Sequence, residues 1–240
     1  MWVDVSDLYC FYDSALGAVV QQILRHCLQD LWPTVSHQNV ATYGYGIPYL
    51  ELFRYQAART MALMPAPLGA IHSQQTHPNL TVLCEETNFP LPDQSLDKLL
   101  IIHGLEYTSY PSELLREAWR VLVDGGQLIV VVPNRRGLWA RLVNTPFGHG
   151  QPYTGHQLFA LVEQNSFTPA KPIYCLYMPP AIPQFFATFY ESIELFGRRW
   201  GKKLGGVVIL EARKTVFAGT TKAVQRWRSH IFVPQQLKVK

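Results

Sequence analysis

The sequence predicts a single α/β domain whose sheet is mostly parallel and flanked by helices, and three observations carry that expectation. Strand-like and helix-like stretches alternate along most of the 240 residues, the order that builds parallel sheets. Two strand-like stretches, "KLLIIHGL" and "QLIVVVP", are continuous apolar runs, as strands covered on both faces are. Between them "SELLREAWRVL" sets Leu114, Leu115, Ala118 and Leu122 on one helical face, opened by Pro111 and Ser112.

The elements follow in order. Ser6 or Asp7 caps a stretch in which Leu8, Tyr12, Ala15, Val19, Ile23 and Cys27 recur at three- and four-residue spacings, so residues 7–31 are expected to form one amphipathic helix, ended by Pro33. "NVATYG" is a short strand running into a glycine turn, residues 49–58 a helix, and "TMALM" a second strand stopped by Pro65 and Pro67. "LTVLC" is a third strand before the acidic "EETNFPLPDQSLD". "DGG" is expected to cap the helix that precedes "QLIVVVP". Beyond a loop rich in Gly, Pro and aromatics at 133–153 come a helix (154–165), a strand (171–177), an insertion (180–203) and a strand (206–213), the two strands pairing as an antiparallel edge. The domain thus covers 1–217, and the aperiodic 218–240 forms a basic, mobile tail.

Composition narrows the classes of function. With 48% hydrophobic and 16% charged residues, no apolar run reaches the length of about 18 to 20 residues that crossing a bilayer demands. The acidic start "MWVDVSDLYCFYDS" has the wrong polarity for a secretory signal, so a cytoplasmic protein is expected. Cys10, Cys27, Cys84 and Cys175 form no C-x-x-C pair and are expected to be buried free thiols. His72 and His77 lack helical spacing and a third ligand, so no metal is expected. Charge is uneven: eleven of the 21 basic residues follow Phe196, against the single acid Glu211.

Four linked features then appear in one order: the turn "YGYGIP", an acid after the third strand, "LPDQSLDKLL", and "LLREAWRVLVDGGQLIVVVPN". That series resembles the class I S-adenosylmethionine-dependent methyltransferases, in particular the type 11 methyltransferase-domain group, where the fourth strand opens with P-D-x-S-hydrophobic-D and the fifth follows R-V-L-x-x-G-G. "PNRRGLWARLVNTPFGHGQPY" is similar to a bacterial subgroup of that family. The resemblance spans residues 7–213 and implies a Rossmann-like, mostly parallel seven-stranded sheet with an antiparallel edge, S-adenosyl-L-methionine as cofactor and a methyl-transfer activity. It places Gly44, Tyr45, Gly46, Met64, Glu85, Glu86 and His103 around the cofactor. Two departures stand out: Pro48 replaces the third glycine, and no acid follows Met64 where the family binds the ribose hydroxyls. They leave open a second reading, a non-catalytic binding or regulatory module that keeps the fold and fills the pocket with its own Met64, Tyr45 or His72.

A sulfonium methyl is already activated, so alignment supplies most of the acceleration, and a base is needed only for a protonated acceptor. His103, Tyr107, His149 and Tyr153 are the candidate catalytic residues by position and chemistry. Arg135, Arg136 and Arg141 are candidates to pair with an anionic acceptor, and Trp139, Phe147 and Tyr153 to offer it flat surfaces. The expected acceptor is a small or lipid-like molecule. Residues 181–203, aromatic and then basic, are read as a transient contact with an anionic membrane, a core-packed helix with a solvated basic end, or a homodimer surface. The tail carries no module for sequence-specific nucleic-acid binding.

Overall fold

The computed structural model describes residues 4–70, 80–180, 190–201 and 203–215. His72, His77, Lys202, the middle of the insertion and the basic tail lie outside the described residues.

The chain builds one sheet with helices on both faces. Its strands are β1 (Asn39–Gly44), β2 (Arg59–Pro65), β3 (Thr81–Cys84), β4 (Leu96–Ile102), β5 (Leu122–Pro133), β6 (Phe167–Pro169), β7 (Ile173–Cys175) and β8 (Val207–Lys214). They run in the order β3-β2-β1-β4-β5-β8-β6, with β7 also on β8. The first five strands are parallel, and β8 enters antiparallel between β5 and the short pair β6 and β7. Among the described residues the sheet therefore has eight strands, not seven. The stretch expected as one strand at 171–177 is β7 alone, and β6 precedes it: Pro169 and Pro172, which lack an N–H, keep the two segments from forming a continuous ladder.

Period two divides the core. Leu100, Ile102, Ile129, Val131, Val207 and Ile209 face one side, where they meet α2 (Ala15–Leu31) and α3 (Ile47–Arg54). Their neighbours Leu99, Ile101, Leu128, Val130, Val208 and Leu210 face the other, against α4 (Pro111–Val121) and α5 (Gly155–Gln164). Two-sided burial is why the strands read as unbroken apolar runs.

Three local expectations are corrected. The N-terminal helix is two helices, α1 (Val5–Asp13) and α2, because Ser14 adopts an extended conformation and its hydroxyl both receives Gly17 N–H and donates to Phe11 C=O. Asp4, not Ser6 or Asp7, caps α1. "DGG" does not cap α4: it lies within β5 at a register shift between Leu96 and Lys98, with Gly125 at φ 78°.

The glycine turn follows from backbone crowding. Gly44 ends β1 at φ 90°, and a Cβ there would stand 2.2 Å from Ile102 O at the end of β4. Gly46 is the N-cap of α3 and Pro48 falls in its first turn, where an N–H has no intrahelical partner to lose. Gly44→Ala is expected to destabilise the domain by about 3 kcal/mol, from left-handed strain and overpacking together; chemical denaturation should show the midpoint fall at unchanged slope.

Candidate active site

In the order β3-β2-β1-β4-β5 the chain direction of the connections reverses between β1 and β4, and open parallel sheets bind ligands in the crevice beyond the carboxyl ends at such a point. Here α1 crosses that crevice. It is tied down by Val5 N–H to Leu68 C=O beyond β2, and by the Phe11 ring, edge-on to Phe147 at 6.1 Å. Its last turn delivers Tyr12 into the crevice, where the ring stacks on Tyr45 at 5.6 Å and stands edge-on to Tyr49 and His103.

A buried polar chain runs through this point. Tyr49 Oη donates to Tyr12 Oη at 3.0 Å, and Tyr12 Oη lies 2.8 Å from His103 Nε2. With its oxygen taken by Tyr49, Tyr12 has its own proton for Nε2, which leaves the imidazole proton on Nδ1. That atom is buried, has no hydrogen-bond partner among the described residues and lies 3.4 Å from Glu106 Oε1. The other oxygen of Glu106 accepts Gly104 N–H at 3.1 Å. His103 sits at φ 50°, a strained position for a residue with a Cβ, held by the tight end of β4 against Gly44.

Beside α1 a cleft of about 1600 Å³ opens between α1, the 106–111 loop after β4 and residues 142–151 after β5. Tyr107 and His149 line it, Tyr107 donating to Pro146 C=O at 2.7 Å and His149 exposed. Burial first, and then Glu106, raises the Tyr107 phenol, so it is neutral at neutral pH. Glu106 belongs to both places: it lines the cleft and faces His103 in the crevice.

The sequence-derived candidates thus separate into groups. His103 is wholly buried under Tyr12. Tyr153 lies in the core, with a phenol raised by burial. Trp139 and Phe147 are core residues as well, Trp139 Nε1 donating to Met178 C=O, so they offer an acceptor no free face. Arg135, Arg136 and Arg141 are exposed and none lines the cleft. Gly44, Tyr45, Gly46 and Met64 surround the crevice floor, Tyr45 and Met64 buried. Glu85 is exposed after β3, whereas Glu86 keeps a buried Oε2 with no partner among the described residues. Sequence reasoning passed over Tyr12, read as part of an apolar stripe, and Glu106, although "HGLEY" sets it three residues from His103.

Residues 41–130, from β1 into β5, match the family model of the methyltransferase domain. Over that segment the chain is similar to a methyltransferase domain, which implies S-adenosylmethionine as cofactor. A S-adenosylmethionine-dependent methyltransferase from Thermotoga maritima shares the fold with a TM-score of 0.63 at 16% identity, over 88% of this chain and 96% of its own. Another from Archaeoglobus fulgidus gives 0.55 at 18% identity, over 81% and 94%. A Chlamydia trachomatis protein named demethylmenaquinone methyltransferase is 40% identical over 58 residues, 23% of this chain and only 25% of that relative's length.

The residues present fit the cofactor in kind, and α1 stands in its way. The tight turn at Gly44 and the buried Glu86 carboxylate oxygen, unpartnered among the described residues, suit a nucleoside at the carboxyl ends of β1 and β3. The end of β2 offers Pro65 and no acid. The volume over the turn is taken by Tyr12 against Tyr45.

The packed phenols give the site an alkaline limit. Burial first raises Tyr12, Tyr45 and Tyr49, Tyr45 to about 12. In the unfolded chain a phenol ionises near pH 10, so the stabilisation is fully present below about pH 10 and is lost as the pH rises towards 12. Denaturant melts over that window should show falling stability, and Tyr45→Phe should flatten the fall.

Proposed function

We propose that the chain transfers the methyl group of S-adenosylmethionine to an uncharged, lipid-like acceptor held in the cleft beside α1, and that the cofactor enters when α1 withdraws Tyr12 from the crevice. The observation that carries this reading is the double position of Glu106, one residue forming the wall between the crevice and the cleft. Bound S-adenosylmethionine supplies an activated methyl. The chain would hold it with the Gly44 to Gly46 backbone, the Tyr45 and Met64 walls and the Glu86 carboxylate, and would align the acceptor between Tyr107 and His149.

The acceptor class follows from the charges of the cleft. Asp4, Asp7 and Glu106 line it, without a lysine or arginine among its described residues, which argues against an anionic acceptor. The name of the Chlamydia relative, demethylmenaquinone methyltransferase, makes a neutral quinone-like lipid the first acceptor to test. Helix α6 (Tyr190–Trp200) supports a membrane source for it. Leu195, Phe196 and Trp200 on that helix are each about 70% exposed, beside exposed Arg199 and Lys203. Apolar rings next to cations suit an anionic bilayer surface, each cation adding about 1 kcal/mol there. Arg198, in the basic end of the same helix, instead turns its guanidinium to Cys27 Sγ. Among the described residues no helix is long and apolar enough to cross a membrane.

The filled crevice by itself also suits the non-catalytic alternative, and binding separates the two. Calorimetry with S-adenosylhomocysteine should find weak binding to the wild type and tighter binding, by about tenfold, to Tyr12→Ala, which has no hydroxyl bond or ring stack to break. No binding by either protein at millimolar ligand would end the enzyme reading. For the surface, co-sedimentation with anionic liposomes at low salt should fall on Trp200→Ala combined with Phe196→Ala; a supernatant protein at both low and high salt would remove the membrane role.

A further inference from the structure

Where α2 meets β7, two of the four cysteines come together. Cys27 of α2 and Cys175, the last residue of β7, are both buried and free, and their sulfurs lie 2.8 Å apart. The guanidinium of Arg198, from α6, reaches Cys27 Sγ at 2.9 Å. The other two cysteines stand elsewhere: Cys10 is exposed on α1, and Cys84 is buried at the end of β3.

The three groups have the parts that thiol oxidation needs. A thiolate is the reactive form of cysteine, and a neighbouring cation with a hydrogen-bond donor favours it. Cys27 has both, since the Cys175 thiol can donate to it and Arg198 lies on its other side. The Cys175 hydrogen bond first, and then the Arg198 charge, hold the Cys27 thiol below its ordinary range, while Cys175 is raised by the same bond and by burial. Cys175 is therefore the resolving partner, already in contact. Burial excludes bulky disulfides such as glutathione disulfide, which makes a small hydroperoxide the oxidant to test.

We propose that Cys27 and Cys175 form a peroxide-sensitive dithiol that closes to a disulfide and thereby loosens α6. The Cys27 thiolate attacks one oxygen of hydrogen peroxide, the O–O bond breaks, and the departing hydroxide takes up a proton as water, leaving a sulfenic acid. The Cys175 sulfur then attacks Cys27 Sγ; the S–S bond forms, the S–O bond breaks, and the hydroxide leaves as a second water with the Cys175 proton. Two thiols are oxidised by two electrons and one peroxide is reduced to two waters. Oxidation removes the negative sulfur that Arg198 binds. Helix α6 then keeps its other anchor, Glu194, whose carboxylate accepts the N–H groups of Leu176, Tyr177 and Met178. The arrangement couples the redox state of the pair to the helix that carries Phe196 and Trp200.

Peptide mapping tests this on the full chain. The native protein is exposed to hydrogen peroxide, denatured without reductant in the presence of N-ethylmaleimide, digested and analysed by mass spectrometry. The expected product is a peptide pair joined through Cys27 and Cys175, lost on reduction. It should form about tenfold more slowly in Arg198→Gln, where the thiolate loses its cation. In Cys175→Ser the reaction should stop at a Cys27 sulfenic acid that dimedone traps. Should that variant fail to fold, the wild-type map decides alone. Recovery of Cys27 and Cys175 as maleimide adducts while Cys10 is oxidised overturns the proposal, as does an unchanged rate in a folded Arg198→Gln protein.

Discussion

The Tyr12 hydroxyl, wedged between Tyr49 and His103, is the interaction on which the arrangement at the top of the sheet depends. Its removal from water is tolerable only because both sides of the oxygen are used, one accepting from Tyr49 and one donating to His103. That bond fixes which imidazole nitrogen carries the proton, and so turns a donor towards Glu106. It also fixes the end of α1, whose neighbouring Phe11 lines the cleft and packs on Phe147. Crevice, cleft and helix are therefore one unit: moving Tyr12 opens the first, reshapes the second and frees the third.

This unit is a more economical account of the departures from the family pattern than loss of the site. Pro48 costs little, because it occupies a helical position whose N–H has no partner in any case. The place beyond β2 where a ribose-binding acid would stand is where α1 is fastened, through Leu68 and Gly69. A chain that closes its own crevice with a helix gains stability in the empty state and gives up part of its cofactor affinity, which is reduced by the fraction of molecules in which the helix is closed.

Much of the fold was legible because parallel strands leave a strong mark. "KLLIIHGL" and "QLIVVVP" are covered on both faces, and the apolar face of α4 is continuous. The break at Ser14 was hidden because the apolar spacing runs on through it, and only the hydroxyl's hydrogen bonds to both helices reveal the change of direction. The short β6 was hidden because Pro169 ends it and Pro172 stands before β7, so that two three-residue strands read as one. Among the candidate residues, the glycine turn, Glu86 and His103 could be placed near strand ends from motif positions. Tyr12 could not, because it reaches the crevice by tertiary packing from a helix whose pattern says only that one side is apolar. The inward turn of Arg198 was equally out of reach: its acceptor, Cys27, is 171 residues away in sequence.

The proposed competition of Tyr12 and the cofactor for one volume is measured directly by hydrogen exchange. Added S-adenosylhomocysteine should speed exchange of the backbone amides of residues 5–13 while slowing exchange at 44–53, as the helix leaves and the turn gains a ligand. Protection of both segments by the ligand would mean that α1 closes over the cofactor, and would contradict the account.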